Sequence, residues 1–238
     1  MQEKKFEELG VPICYCLGNH DLQYATSNCV NDDSVFLPFY DIVKRHKNWH
    51  TIENFSQPYF KVPLGRYMVY FLSDHIAEDK SWYSIHGRIF DENNKYPHIE
   101  TYKKIKSEIS REQGPVILAA HYSFLGGNRP SKLFDNLLPL PQNVKIHFYG
   151  HAHIGDYDWA KENAYRRISW VDWHDIPQIN VSSFEHIRGD KCRSIFLHIY
   201  EDDSFGIFFR NHDDGIFTEC YFPSKNNYQN GYNLRKEI

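Results

Sequence analysis

The 238-residue sequence predicts an α/β protein whose strand ends present polar side chains. Three observations predict it. Val11 to Leu17, Pro115 to Ala120 and Val144 to Tyr149 are short apolar runs of strand length. Each is followed closely by amide or imidazole groups: Asn19 and His20 in Leu17-Gly18-Asn19-His20-Asp21, then His121, then His151 and His153 in Gly150-His151-Ala152-His153. Open α/β sheets collect their ligands at such C-terminal strand ends.

The elements follow in order. Glu3 to Leu9 read as the end of an amphipathic helix, stopped by Gly10 with Pro12 just beyond. Val11 to Leu17 is the first buried strand. Ser34 to Lys47 places Val35, Phe39, Ile42 and Val43 on one helical face, so a helix is expected despite Pro38. Trp49 to Glu53, Tyr59 to Val62 and Arg66 to Ser73 are strand-like, a hairpin followed by a central strand. Residues 74 to 97 are polar and irregular. Ile99, Tyr102, Ile105 and Ile109 recur at helical spacing until Gly114-Pro115. The strand to His121 follows, then a turn at Gly126-Gly127-Asn128 and a short helix from Lys132 to Leu138. Beyond the strand that ends before Gly150 the chain becomes strand-rich: Tyr165 to Val171, Ile179 to Ser182, Arg193 to Tyr200 and Phe205 to Asn211, with Asp202-Asp203 at a hairpin turn. Residues 1–222 are expected to form one domain, and 223–238 a polar, Asn-rich tail.

Composition narrows the function. With 41% hydrophobic and 24% charged residues, the chain can bury a sizeable core. Its net charge of −4, and the absence of any long Lys/Arg cluster, disfavour nucleic acid as a partner. No run approaches the ~20 apolar residues that span a bilayer, so no membrane partner is expected. The five Cys are scattered without a Cys-x-x-Cys pair, which argues for reduced thiols. The N-terminal residues lack the apolar core of a signal peptide, so a cytoplasmic location follows if Met1 is the natural start.

Asn19 offers an amide oxygen, and His121, His151 and His153 offer ring nitrogens, a donor set suited to divalent cations. His20, beside one of these donors, is placed to act on substrate. Asp21 can fix its tautomer and orientation. Gly18-Asn19-His20-Asp21, a lone His121 after an apolar strand, and Gly150-His151-Ala152-His153, in that order, resemble the calcineurin-like metallophosphoesterase family over about residues 5 to 212.

The resemblance implies a four-layer αββα sandwich. It also implies hydrolysis of a phosphomonoester or phosphodiester by a metal-bound hydroxide, with a small phosphorylated molecule as partner. The family site holds two divalent ions (Mn, Fe or Zn). On that pattern Asn19, His121 and His151 would hold one metal, His153 the other, and His20 would assist the leaving oxygen. The chain departs from the family in two respects: Tyr122-Ser123 replaces the His-Pro often seen after the lone His, a minor change, and no Asp stands before Asp21, so the preceding Asp-x-His motif and the Gly-Asp of the bridging carboxylate are missing. One amide and two imidazoles without a carboxylate hold Mn²⁺ weakly and Zn²⁺ modestly, so at most one ion is expected in this chain. The sandwich is therefore expected to lack its first βαβ portion, with Met1 an internal Met of a longer chain. The rival expectation is an inactive remnant or binding module of the same fold. The remaining histidines take structural roles; His147 and His198 are expected to face solvent or a partner carbonyl, and Cys14 and Cys16 to be small core residues.

Overall fold

The computed structural model describes residues 7–18, 37–53, 57, 59–73, 99–122, 137–151, 170–173, 176–182, 192–222 and 234–235. They belong to two compact units, Met1–Tyr149 and Gly150–Ile238.

In the first unit the chain leaves a helical turn at Glu7, and Gly10 stops it as expected. Gly10 has φ 65 and donates its N–H to the Glu7 carbonyl at 3.1 Å. Strand β1 is only Ile13–Cys14, much shorter than the Val11 to Leu17 run. Val11 is half exposed, and Pro12 has no N–H to donate, so the first part of the run builds no ladder. Helix α1, Leu37–Lys44, carries Pro38 in its first turn, where the missing N–H costs nothing, and buries Val43. Strand β2, Trp49–His50, pairs in parallel with β1. This corrects the expected hairpin: Trp49 meets Ile13, while the hairpin forms between β3, Tyr59–Leu64, and β4, Tyr67–Leu72. Its two-residue loop opens with Gly65 at φ 58, the first position of a type II′ turn, which favours glycine.

Helix α2, Ile99–Arg111, carries the chain from β4 to β5, Val116–Ala120, parallel to it. Its predicted apolar stripe holds: Tyr102, Ile105 and Ile109 are fully buried. Strand β6, Val144–Tyr149, continues the parallel arrangement beside β5. The register slips by one between Val116 and Ile117, which leaves Lys145 as an extra residue on β6. His147 is fully buried, so the expectation that it faces solvent is corrected; within β6 it lies opposite Leu118, in the core of the sheet.

Two tyrosine–carboxylate links tie the β3–β4 hairpin to α2. The Tyr59 hydroxyl donates to Glu108 Oε1 at 3.0 Å, and the Tyr70 hydroxyl to Glu112 Oε1 at 2.7 Å. Lys61 Nζ also donates to Glu112, at 2.8 Å. Burial, and then the bond to Glu108, push the Tyr59 hydroxyl up to about 12. Burial and Glu112 raise Tyr70 as well. The bonds from Lys61 and then Tyr70 hold the Glu112 carboxyl below its ordinary value. Because both tyrosines are raised in the folded state, their contribution to stability is complete below pH 10 and is lost as pH climbs through the folded values. The Glu112 contribution runs the other way, present above the ordinary carboxylate range and lost on acidification. Ultraviolet tyrosinate titration should show two late-ionising groups, and Tyr70→Phe should remove one of them. A single transition near pH 10 for every tyrosine would refute these links.

In the second unit β7, Trp170–Trp173, pairs antiparallel with β8, Ile176–Asn180. Strand β8 starts three residues before the expected Ile179 and ends before Ser182, whose φ of 59 leaves the extended region. The Ser182 N–H donates to Asn180 Oδ1 at 2.9 Å, an Asx turn at the buried strand end. Strands β9, Arg193–Ile199, β10, Phe205–Asn211, β11, Phe217–Phe222, and β12, Leu234–Arg235, form an antiparallel sheet in the order β12-β11-β10-β9. The predicted Asp202-Asp203 turn joins β9 to β10, with Asp203 at φ 64 and Asp202 Oδ1 accepting the Ser204 N–H at 3.0 Å. His198 is exposed, as expected, and stacks on Tyr200 at 4.3 Å. Among the described residues no helix is long and apolar enough to cross a membrane.

Candidate functional site

The sequence places its candidate ligands just beyond strand ends, and in the first unit those ends converge. After β1 the chain runs as Tyr15-Cys16-Leu17-Gly18 toward the C-terminal tips of β4 and β5. Cys16 holds it there: its thiol donates to the carbonyl of Leu72, the last residue of β4, at 3.1 Å. The same sulfur lies 3.8 Å from the Ala119 carbonyl on β5. The Tyr15 carbonyl accepts the Thr51 hydroxyl at 3.3 Å, and the Tyr15 ring lies 5.3 Å from that of Trp49. Leu17 and Gly18 are buried at the end of this strap. Cys14 and Cys16 are half-buried rather than core residues, a correction with a physical reason: the Cys16 thiol serves as a polar tether. Burial also pushes the Cys14 thiol up, away from reactivity.

His121 is the first residue past β5, and its imidazole lies against the Gly18 backbone. A Cβ on Gly18 would stand 2.8 Å from His121 Nδ1 and Cε1, and 3.2 Å from Nε2. Real side chains do not pack so closely, so only glycine admits the ring there. The Tyr122 ring meets the imidazole edge-on at 5.0 Å. The first motif and the lone histidine, 103 residues apart in the chain, are thus in contact through Gly18 and His121. A ring held between a backbone and an aromatic edge keeps one orientation, the condition a metal-ligating or proton-handling imidazole needs.

The third motif follows β6, whose last residue, Tyr149, is in register with Ala120 of β5. His151, the second residue of the second unit, has φ 56, a left-handed backbone that a non-glycine residue adopts at a cost of about 1–3 kcal/mol. Such strain concentrates at functional positions. Asn19, His20, Asp21 and His153 lie outside the described residues, as do residues 74–97. Among the described residues no three His, Cys, Asp or Glu side chains cluster as a metal site; two of the four expected ligands, His121 and His151, are among them. Sequence reasoning missed the strap and the role of Gly18 beneath the imidazole. Glycine directly before the Asn-His pair was the available signal.

The sequence profile of the calcineurin-like phosphoesterases matches residues 1–155, about two thirds of the chain. No curated protein matches it. Among solved structures, one assigned as a 5'-nucleotidase from Staphylococcus aureus, in complex with alpha-ketoglutarate, is similar at 13% identity and a TM-score of 0.41. The similarity covers 98% of this chain and 38% of that one.

Proposed function

Because this chain belongs to the calcineurin-like phosphoesterase family, we propose that it is a metal-dependent hydrolase of a phosphomonoester or phosphodiester. The observation that carries the reading is the seating of His121 on Gly18, the residue directly before Asn19. That contact brings the backbone of the first motif beside the lone histidine, as a shared ligand set requires.

The donor set tests the fit. Asn19, His121 and His151 offer one neutral oxygen and two neutral nitrogens, which fit a borderline cation such as Zn²⁺ better than a hard one. His153 would serve a second position. When bound, divalent ions supply Lewis-acid polarisation of the phosphoryl oxygens and acidify water. The remaining chemistry belongs to side chains. His20 would hold the proton that the leaving oxygen takes up, and Asp21 would orient its ring by accepting the other N–H. The Gly18 and Tyr122 contacts prevent the His121 ring from turning.

His20→Ala should lower hydrolysis of p-nitrophenyl phosphate or bis-p-nitrophenyl phosphate about 10²- to 10⁴-fold, the usual contribution of a general acid. A chelator should abolish the rate in the parent chain. Hydrolysis that survives both treatments would end the proposal. A second reading is a binding module of the same fold. Metal content of the purified chain separates the two: about two equivalents support the hydrolase, and one or none supports the module.

A further inference from the structure

The antiparallel sheet of the second unit has two apolar faces, and only one of them is buried. Residues 192–222, which hold β9, β10, β11 and both hairpin turns, are described without a break. Phe205, Ile207, Phe209, Cys220 and Phe222 are the buried side of this meander. Alternation sends the side chains between them to the other face. The register sets that outer face in rows: Phe196, Phe208 and Glu219 form one, and Ser194, Arg210 and Phe217 the next.

The outer face is low and largely aromatic. Phe196 and Phe217 belong to strands separated by β10, yet their rings lean across it to 6.3 Å. They remain 50% and 38% exposed. Gly206, in the adjoining row, leaves room for two more rings. A Cβ there would stand 3.2 Å from Phe208 Cε2 and from the Tyr200 hydroxyl oxygen, so both rings reach over the glycine. Sheets packed face to face stand about 10 Å apart, a spacing that such a low layer allows.

Two charges share this face. Arg210 is exposed, its guanidinium 5.7 Å from the centre of the Phe217 ring. Glu219 lies diagonally from it, one strand across and one row along. Arg235 stands opposite Glu219 in the β11–β12 register, but among the described residues no ion pair engages either Arg210 or Glu219. The line from Phe196 to Phe217 passes between these two charges. A two-fold axis laid along that line, in the plane of the face, exchanges their positions and sets each phenylalanine against its own copy. The Arg210 guanidinium of one copy then meets the Glu219 carboxylate of the other, twice over. That is the self-complementarity a two-fold interface requires.

We propose that this face binds a second copy of the chain, sheet against sheet, as a homodimer. Burial of the phenylalanine diagonal drives the association, and the two Arg210–Glu219 contacts fix its alignment. A partner of one charge sign would meet a like charge on one side of the diagonal. One sheet face is a small interface, so the dimer dissociates in the micromolar range. It draws on no residue of the hydrolytic site.

Sedimentation velocity of the full chain, from about 1 to about 300 µM, brackets that range. The sedimentation coefficient should rise with concentration from monomer to dimer. Phe196→Ser, Arg210→Glu and Glu219→Arg should each weaken association about tenfold or more. Circular dichroism should show all three folded, because these side chains lie outside the core. An equimolar mixture of the Arg210→Glu and Glu219→Arg chains should regain the parent's affinity, since each new charge meets its opposite across the axis. A monomer at every concentration would overturn the proposal and leave the face to a different partner. So would a dimer that the three substitutions leave unmoved, or a mixture that associates no better than its components.

Discussion

Gly18→Ala is expected to cost about 10- to 100-fold in metal affinity and phosphoester hydrolysis, the range seen when a ligand's supporting contacts are lost. The added methyl would lie 2.8 Å from two atoms of the His121 ring, so either the imidazole turns or the strap lifts. Both outcomes unseat the ring from the position that its neighbours define. Overpacking at a buried position should also lower stability by about 1–3 kcal/mol. Titration calorimetry with Zn²⁺, initial rates on bis-p-nitrophenyl phosphate, and urea unfolding measure the three effects. A double-mutant cycle assigns the cause: in the His121→Ala background the methyl should no longer destabilise, although hydrolysis stays lost. If Gly18→Ala unfolds like the parent and binds metal equally, the contact has no functional weight.

The largest stability loss is expected at Gly114. This residue sits between α2 and β5, against the turn of the β3–β4 hairpin, and a Cβ there would run into the Arg66 carbonyl oxygen. The obstacle is backbone on both sides, so no rotamer change relieves it. The following Pro115 carbonyl accepts the Met68 N–H, which means that any retreat of Gly114 also strains the β4–β5 ladder. Gly114→Ala should therefore cost about 3 kcal/mol in urea unfolding, against the small gain that glycine-to-alanine changes give at unstrained sites. A loss under about 1 kcal/mol would mean that the loop accommodates the methyl freely.

Much of the first unit was legible from local pattern. Ile99, Tyr102, Ile105 and Ile109 announced α2 because a helix face repeats in the residues themselves. The runs ending at Ala120 and Tyr149 announced β5 and β6 because strands covered on both faces read as continuous apolar stretches. What depended on distant partners was not legible. Trp49–His50 joins Ile13–Cys14 across more than thirty residues, and nothing in either segment names the other. β11 escaped notice because Thr218, Glu219 and the partly exposed Phe217 dilute its apolar alternation.

The site divides in the same way. Chemistry was visible in residue types: amide and imidazole donors after apolar runs, and the resemblance those motifs carry to a family whose profile does match the chain. Support was invisible. The Cys16 tether to Leu72 and the imidazole resting on Gly18 are tertiary contacts, which no spacing rule encodes. Likewise the left-handed backbone at His151 follows from the path of the chain rather than from the side chain.

The slip at Lys145 sets a limit on how this protein can vary. Side chains along a strand alternate with period two, and partners across a ladder share a face. Because Ile117 meets Ile146, Lys145 stands outside that alternation, and Ile146 to Tyr149 take the faces of Ile117 to Ala120. Deleting Lys145 would therefore leave each of these positions on its present side. Losing a residue beyond Ile146 would instead turn over every position after it, so the tolerance for a change in length ends where the slip does.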